Sequence, residues 1–271
     1  MDQSATFQRK INGLVHPDVV RVMLLKMIDL GNTRDARENL VEFVSNQFAS
    51  IGAQPTIERT PTGSRQVVAT LQGTGKGPKL LFGGWLHPRE NADEPRKNAG
   101  LFDGEWIYGT SASNMTCAFA AYFGAMKAIR QAGLSLRGDV VMAGAVGEEP
   151  LINMDWDAAI IGRPTGLKIQ PPLGLAPDHP ILNSIATAHR TIFFGRDALY
   201  LPAKNHPPAQ SSVSLRAIAY GPGGIDRAGA DADEDKELGE IVSVPNLVMC
   251  TKVYALAAVD ICSGERGQWP H

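Results

Sequence analysis

The sequence predicts an α/β fold, a three-layer arrangement with a mostly parallel sheet and helices on both faces. Three observations carry this. Short β-rich runs alternate with helical stripes along most of the chain. After its leading aspartate, Asp139–Val146 is a continuous apolar run of strand length, as in a strand covered on both faces. The helical stripes are strongly periodic: Val19, Val20, Met23, Leu24, Met27 and Ile28 recur at helical spacing between His16 and Leu30, with Gly31 as the stop.

The remaining elements follow in order. Leu40, Phe43, Val44 and Phe48 mark a helix over Asp35–Ile51. Pro55–Glu58, Gln66–Leu71 and Lys79–Gly83 read as strands, and Gly73-Thr74-Gly75-Lys76-Gly77 between the last two reads as a turn. Trp106–Tyr108 is a short strand. Asn114–Ala132 is a helix with Met115, Phe119, Phe123, Met126 and Ile129 on one face. Asp157–Ile161 is a strand, and Asp178 is expected to cap a helix running through Thr191. Arg216–Tyr220 is a strand, the acidic run Asp231–Glu240 a solvated loop, and Val244–Ile261 the closing helix. Neither an internal repeat nor a linker divides the 271 residues, so a single domain over 1–271 is expected.

Composition narrows the function. Apolar residues make up 44% and charged residues 20%, with a formal net charge of −2, which points to neither nucleic acid nor an anionic membrane surface. The longest apolar stretches are strand-sized, so no membrane span is expected. Met1-Asp2-Gln3-Ser4 does not begin a secretory signal, and the three cysteines are too scattered for a disulfide framework. The expected location is the cytoplasm.

Five segments carry a more specific signal by their order. They are the strand Lys79–Trp85, the stretch Trp106–Met115, the strand ending Gly147-Glu148-Glu149, the segment Asp157–Gly166 with Arg163-Pro164-Thr165, and Tyr220-Gly221-Pro222-Gly223-Gly224-Ile225-Asp226. In this order they resemble the zinc-dependent amidohydrolases that include acetylornithine deacetylase, succinyl-diaminopimelate desuccinylase, aminoacylase and glutamate carboxypeptidase, over about His16 to Cys262. The resemblance implies a zinc-exopeptidase-like catalytic domain. In that family two zinc ions share a bridging water, and a carboxylate takes its proton.

Position by position, the implied zinc site is largely gone. The family's histidine ligand falls on Trp85 and its supporting aspartate on His87. The bridging aspartate falls on Asn114, followed by Thr116-Cys117 where the family has lysine-glycine. The Glu-Glu pair survives as Glu148-Glu149, with Glu148 at the base and Glu149 at a ligand position. The acidic residue before Pro-Thr is Arg163, and the late histidine falls near Gly229. Indole, glycine and guanidinium do not hold zinc, so neither metal nor other cofactor is expected. The family's inserted lid and dimerisation domain is expected to be missing near 166–174.

The expected catalytic residues are Glu148, Glu149 and His87, and the expected substrate-binding residues are Arg163, Trp85, Asn114 and Asp226. Arg163 reads equally as a structural counter-ion for Glu149, Trp85 as filler of the emptied pocket, and Asn114 as a helix cap. Cys117 reads as an inert small residue. The leading functional reading is a metal-independent enzyme on a small amino-acid derivative, possibly N-acylated or carrier-tethered, working by elimination, intramolecular substitution or ring closure. The alternatives are a non-catalytic protein that binds a ligand or stabilises a partner, and an active metal-dependent amidohydrolase. A second protein subunit or a self-dimer is expected.

Overall fold

A computed structural model of the chain describes residues 3–33, 35–60, 62–86, 100–146, 156–204, 216–226, 240–266 and 269. A six-stranded sheet forms its centre. Strands β1 (Gln54–Arg59), β2 (Arg65–Leu71), β3 (Leu80–Leu86), β6 (Val140–Val146), β7 (Ala158–Ile161) and β8 (Ala217–Ala219) lie in the order β1-β2-β6-β3-β7-β8. The four strands from β6 to β8 run parallel, whereas β1–β2 and β2–β6 are antiparallel.

Period-two alternation gives the two faces of this sheet separate cores. Leu80, Phe82, Leu86, Val140, Met142, Ile160 and Ile218 belong to the larger cluster, shared with α4 (Met115–Gln131) and α6 (Val244–Ser263). Helices α2 (Pro17–Gly31) and α3 (Ala36–Ser50) complete it, with Phe48 meeting Phe123 edge-on at 5.5 Å. Val68, Leu81, Val141, Ala143, Ala159, Ile161 and Ala217 form the second cluster, joined by Trp156 and Met115. This explains the unbroken apolar run of β6: every one of its residues is buried. Each fully buried large side chain contributes about 1.5–3 kcal/mol.

Helix α6 has the length and hydropathy of a membrane span, but 72% of that window is buried within the protein. A tyrosine cluster links it to the sheet. Tyr122 on α4 donates to the carbonyls of Gly83 and Ile160, and Tyr254 on α6 donates to that of Tyr220. Tyr122 therefore joins β3 to β7 just below their exits.

Several local expectations change. Helix α1 (Gln3–Leu14) precedes the first helix read from the sequence and packs Phe7 and Ile11 into the core beside α6. A second, antiparallel sheet consists of β4 (Leu101–Phe102), β5 (Trp106–Tyr108), β10 (Glu240–Ser243) and β9 (Ile225–Asp226), in the order β4-β5-β10-β9. Glu240 thus opens a strand and does not belong to a solvated loop. Helix α5 (Pro180–Ile192) is capped by His179, whose Nδ1 accepts from Ile181 N, and not by Asp178.

Candidate functional site

Strands β3, β6 and β7 run parallel and end at the C-terminal edge of the sheet, where open α/β sheets bind ligands. Trp85 pairs with Ala145 and Leu86 with Val146, so β3 and β6 leave the sheet side by side. Their continuations, with His87 on one and Glu148 and Glu149 on the other, lie outside the described residues. Trp85 itself is half-buried and packs against the second core cluster.

Arg163 follows β7. Gly162 N donates to Gly83 O at 3.1 Å and so continues the pairing of β7 with β3. Arg163 N donates to Ile161 O, and Arg163 O accepts from Thr165 N, both at 2.8 Å, which folds the chain tightly around the half-buried arginine. The glycine-rich segment after β8 closes over this turn. Gly221 N donates to Thr165 Oγ1 at 3.0 Å, and its α-carbon lies so near the Arg163 carbonyl that a side chain would collide with that oxygen. Three residues on, Gly224 presses in the same way against Ser113 and the Ile241 carbonyl. The glycines therefore let one strand of chain pass between the Arg163 turn and the loop that enters α4.

That loop is fixed by a residue the sequence reading did not single out. The Glu240 carboxylate accepts from Ser111 N at 3.1 Å, from Ser113 N at 2.8 Å and from Ser113 Oγ at 2.7 Å. Ser111 has a left-handed φ of 70°, which costs a non-glycine residue about 1–2 kcal/mol. The charge-assisted bonds to Glu240 offset that cost. The available signal in the sequence was a carboxylate standing immediately before the apolar pair Ile241-Val242.

Asn114 ends the loop as the N-cap of α4, its Oδ1 accepting from Thr116 N at 2.9 Å. The structure thus gives it the cap role. Cys117 lies one turn into the helix and is fully buried, its Sγ directed to the Asn114 carbonyl at 2.9 Å. Burial, and then the charge of Glu240, push its thiol far above the ordinary range, which disfavours the thiolate. Asp226 pairs with Glu240 across β9 and β10 in the second sheet; its side chain lies outside the described residues.

The donor chemistry of the described positions does not fit a dinuclear zinc site. Indole, amide and guanidinium stand at Trp85, Asn114 and Arg163, and the Glu240 carboxylate is bound to backbone N–H groups. Among the described residues no group of three or more His, Cys, Asp or Glu side chains converges as metal ligands would.

No family model matches the chain. Solved structures do. The aminopeptidase PepT from Bacillus cereus superposes with a TM-score of 0.69 at 8% identity, covering 93% of this chain and 100% of that one. A Zn-dependent exopeptidase from Parabacteroides distasonis gives 0.57 at 11%, covering 91% and 98%. The glutaminyl cyclase of Porphyromonas gingivalis gives 0.60 at 11%, covering 89% and 96%. The chain therefore has the three-layer, zinc-exopeptidase-like α/β fold that its sequence predicts.

Proposed function

We propose that this chain closes a ring in a small amino-acid derivative without a resident metal. The observation that carries the proposal is the chemistry of three described positions, a cation at Arg163 just past β7, an indole at Trp85 near the end of β3 and an amide at Asn114 at the start of α4, which the family resemblance sets at metal-ligand positions. The likeness to glutaminyl cyclases supports the reaction class, because the same architecture serves a ring-closing reaction there.

In this reading an amine nitrogen of the substrate attacks a carbonyl carbon of the same molecule. The new C–N bond closes the ring as the bond to the leaving amine or hydroxyl breaks. Glu148 takes the proton from the attacking nitrogen and returns it to the leaving group. Arg163, with His87, holds the substrate's anionic group, and Trp85 supplies an apolar wall. Glu149 and Asp226 complete the polar lining, and Glu149 also balances the charge of Arg163. The substrate class is an N-acylated or carrier-tethered diamino acid.

The test is incubation with glutaminyl amides and with N-acyl and amide derivatives of ornithine and diaminobutyrate, followed by mass spectrometry. A cyclic product lighter by one ammonia or one water is expected, with Glu148→Gln slower by about 10²–10⁴-fold. Absence of any ring-closed product with the parent protein overturns the proposal. A second reading, a ligand-binding protein without catalysis, draws on the engagement of Asn114 and Glu240 by the protein's own backbone. Saturable binding of one of these compounds without turnover would favour it.

A further inference from the structure

A cleft between three helices shares no residue with the candidate site. Helix α6 packs against both α1 and α5 and supplies the floor through Met249 and Lys252. Ala5, Gln8, Arg9 and Asn12, spaced three and four apart on one face of α1, form one wall. The end of α5 and Phe194 form the other. The cleft holds about 500 Å³, within the range of roughly 300–1,000 Å³ that small-molecule sites occupy.

Its charge is of one sign. Arg9 and Lys252 line it, and among the described residues no Asp or Glu does. The bias extends through the walls: α1 and α5 contain no acidic residue, and the single one of α6, Asp260, already accepts from Ser184 Oγ at 2.6 Å. Lys252 Nζ donates to Asn12 Oδ1 at 2.8 Å, which ties α6 to α1 and leaves two of its three N–H groups for a ligand. Burial lowers Lys252 below the ordinary lysine value, and an anion beside it would offset that desolvation. The remaining lining is largely apolar, with Ile11 and Ile192 buried behind it. Phe194 stands at the mouth, 95% exposed and with a left-handed φ of 54° that bulky residues rarely hold.

The geometry points to this cleft as a binding site for a small amphipathic anion. Its head, a carboxylate or a phosphate monoester, sits between Arg9 and Lys252, and its short hydrocarbon or aryl body lies against Met249, Ile192 and Phe194. A guanidinium takes such a head group through two parallel hydrogen bonds, and the ammonium adds a third. A neutral ligand would leave both cations unanswered, and a cationic one would be repelled. The site is independent of the reaction proposed above.

Titration calorimetry of the full chain with butanoate, hexanoate, octanoate and octyl phosphate, each below its aggregation concentration, tests it. Saturable binding at one site per chain is expected, tightening by up to about fourfold per added methylene. The comparison of octanoate with octyl phosphate tells which head group the site takes, and octan-1-ol and octylamine should not bind. Lys252→Met and Arg9→Leu should each weaken octanoate about tenfold or more, as loss of a charged hydrogen bond does, with unchanged circular dichroism. Lys10→Met, on α1 but outside the cleft, should leave the affinity as it is. Phe194→Ala should weaken octanoate more than butanoate. A parent protein that binds none of these anions saturably overturns the inference. So does octan-1-ol binding as tightly as octanoate, or Lys10→Met weakening octanoate as much as Lys252→Met.

Discussion

Glu240 holds Ser113 twice, by its backbone N–H at 2.8 Å and by its hydroxyl at 2.7 Å, and this pair fixes the loop from which Asn114 starts α4. Removing the carboxylate leaves two N–H groups and a strained Ser111 without their acceptor. Glu240→Ala should therefore destabilise the protein by about 1–3 kcal/mol. Urea denaturation measures this. A midpoint unchanged from the parent would mean that the loop is held by its own packing.

Gly221 is the tightest passage in the site, and its contact is with backbone, which cannot rotate aside. A methyl group there must displace the Arg163 carbonyl. Gly221→Ala should cost about 1–3 kcal/mol or more, as overpacking does. Gly13, on α1 with open space around it, takes the same substitution freely. Gly13→Ala should be neutral or stabilising by up to about 1 kcal/mol. Parallel thermal melts of the two variants check the contrast, and equal shifts would contradict the packing described.

His179 and His189 give the fold a pH dependence. Both are held below the ordinary value of 6.5, chiefly by burial of the ring. Arg216 lowers His179 further and Asp178 opposes this, while Asp197 opposes the shift of His189. His189 is stacked on Phe193, and its Nδ1 lies 2.9 Å from the Tyr220 hydroxyl. A depressed folded-state value means that the unfolded chain binds more protons near and below 6.5. The stability is thus fully present above that pH and is lost as pH falls through the folded-state values. Denaturation midpoints should drop on acidification across the range where histidine titrates, and His189→Gln should flatten the curve. A pH-independent midpoint would contradict this.

The sequence made the main sheet legible because its signals are local. The continuous apolar run of β6 and the stripe on α4 each state their own burial, and the strand read at Asp157–Ile161 puts Arg163 just past β7. What it concealed depends on distant partners. Helix α1 has few apolar residues and relies on the surface of α6 to bury Phe7 and Ile11. Strands β4 and β9 have two residues each, too few to show a period of their own, and exist only by pairing with β5 and β10. Glu240 looked like the end of an acidic run, because the Ser111 and Ser113 amides that bind it are remote in sequence. Asn114 admitted two roles on sequence grounds, and the bond from Thr116 N establishes the cap.

The central claim is that a site built on a zinc-exopeptidase-like fold works here without the metal. Elemental analysis of the purified protein, after gel filtration in metal-free buffer, tests it most directly. The account predicts less than stoichiometric zinc, cobalt and manganese, because the resemblance sets Trp85, Asn114 and Arg163, none of them an anionic or imidazole group, at positions that call for such ligands. One or more tightly held transition-metal ions per chain would contradict it.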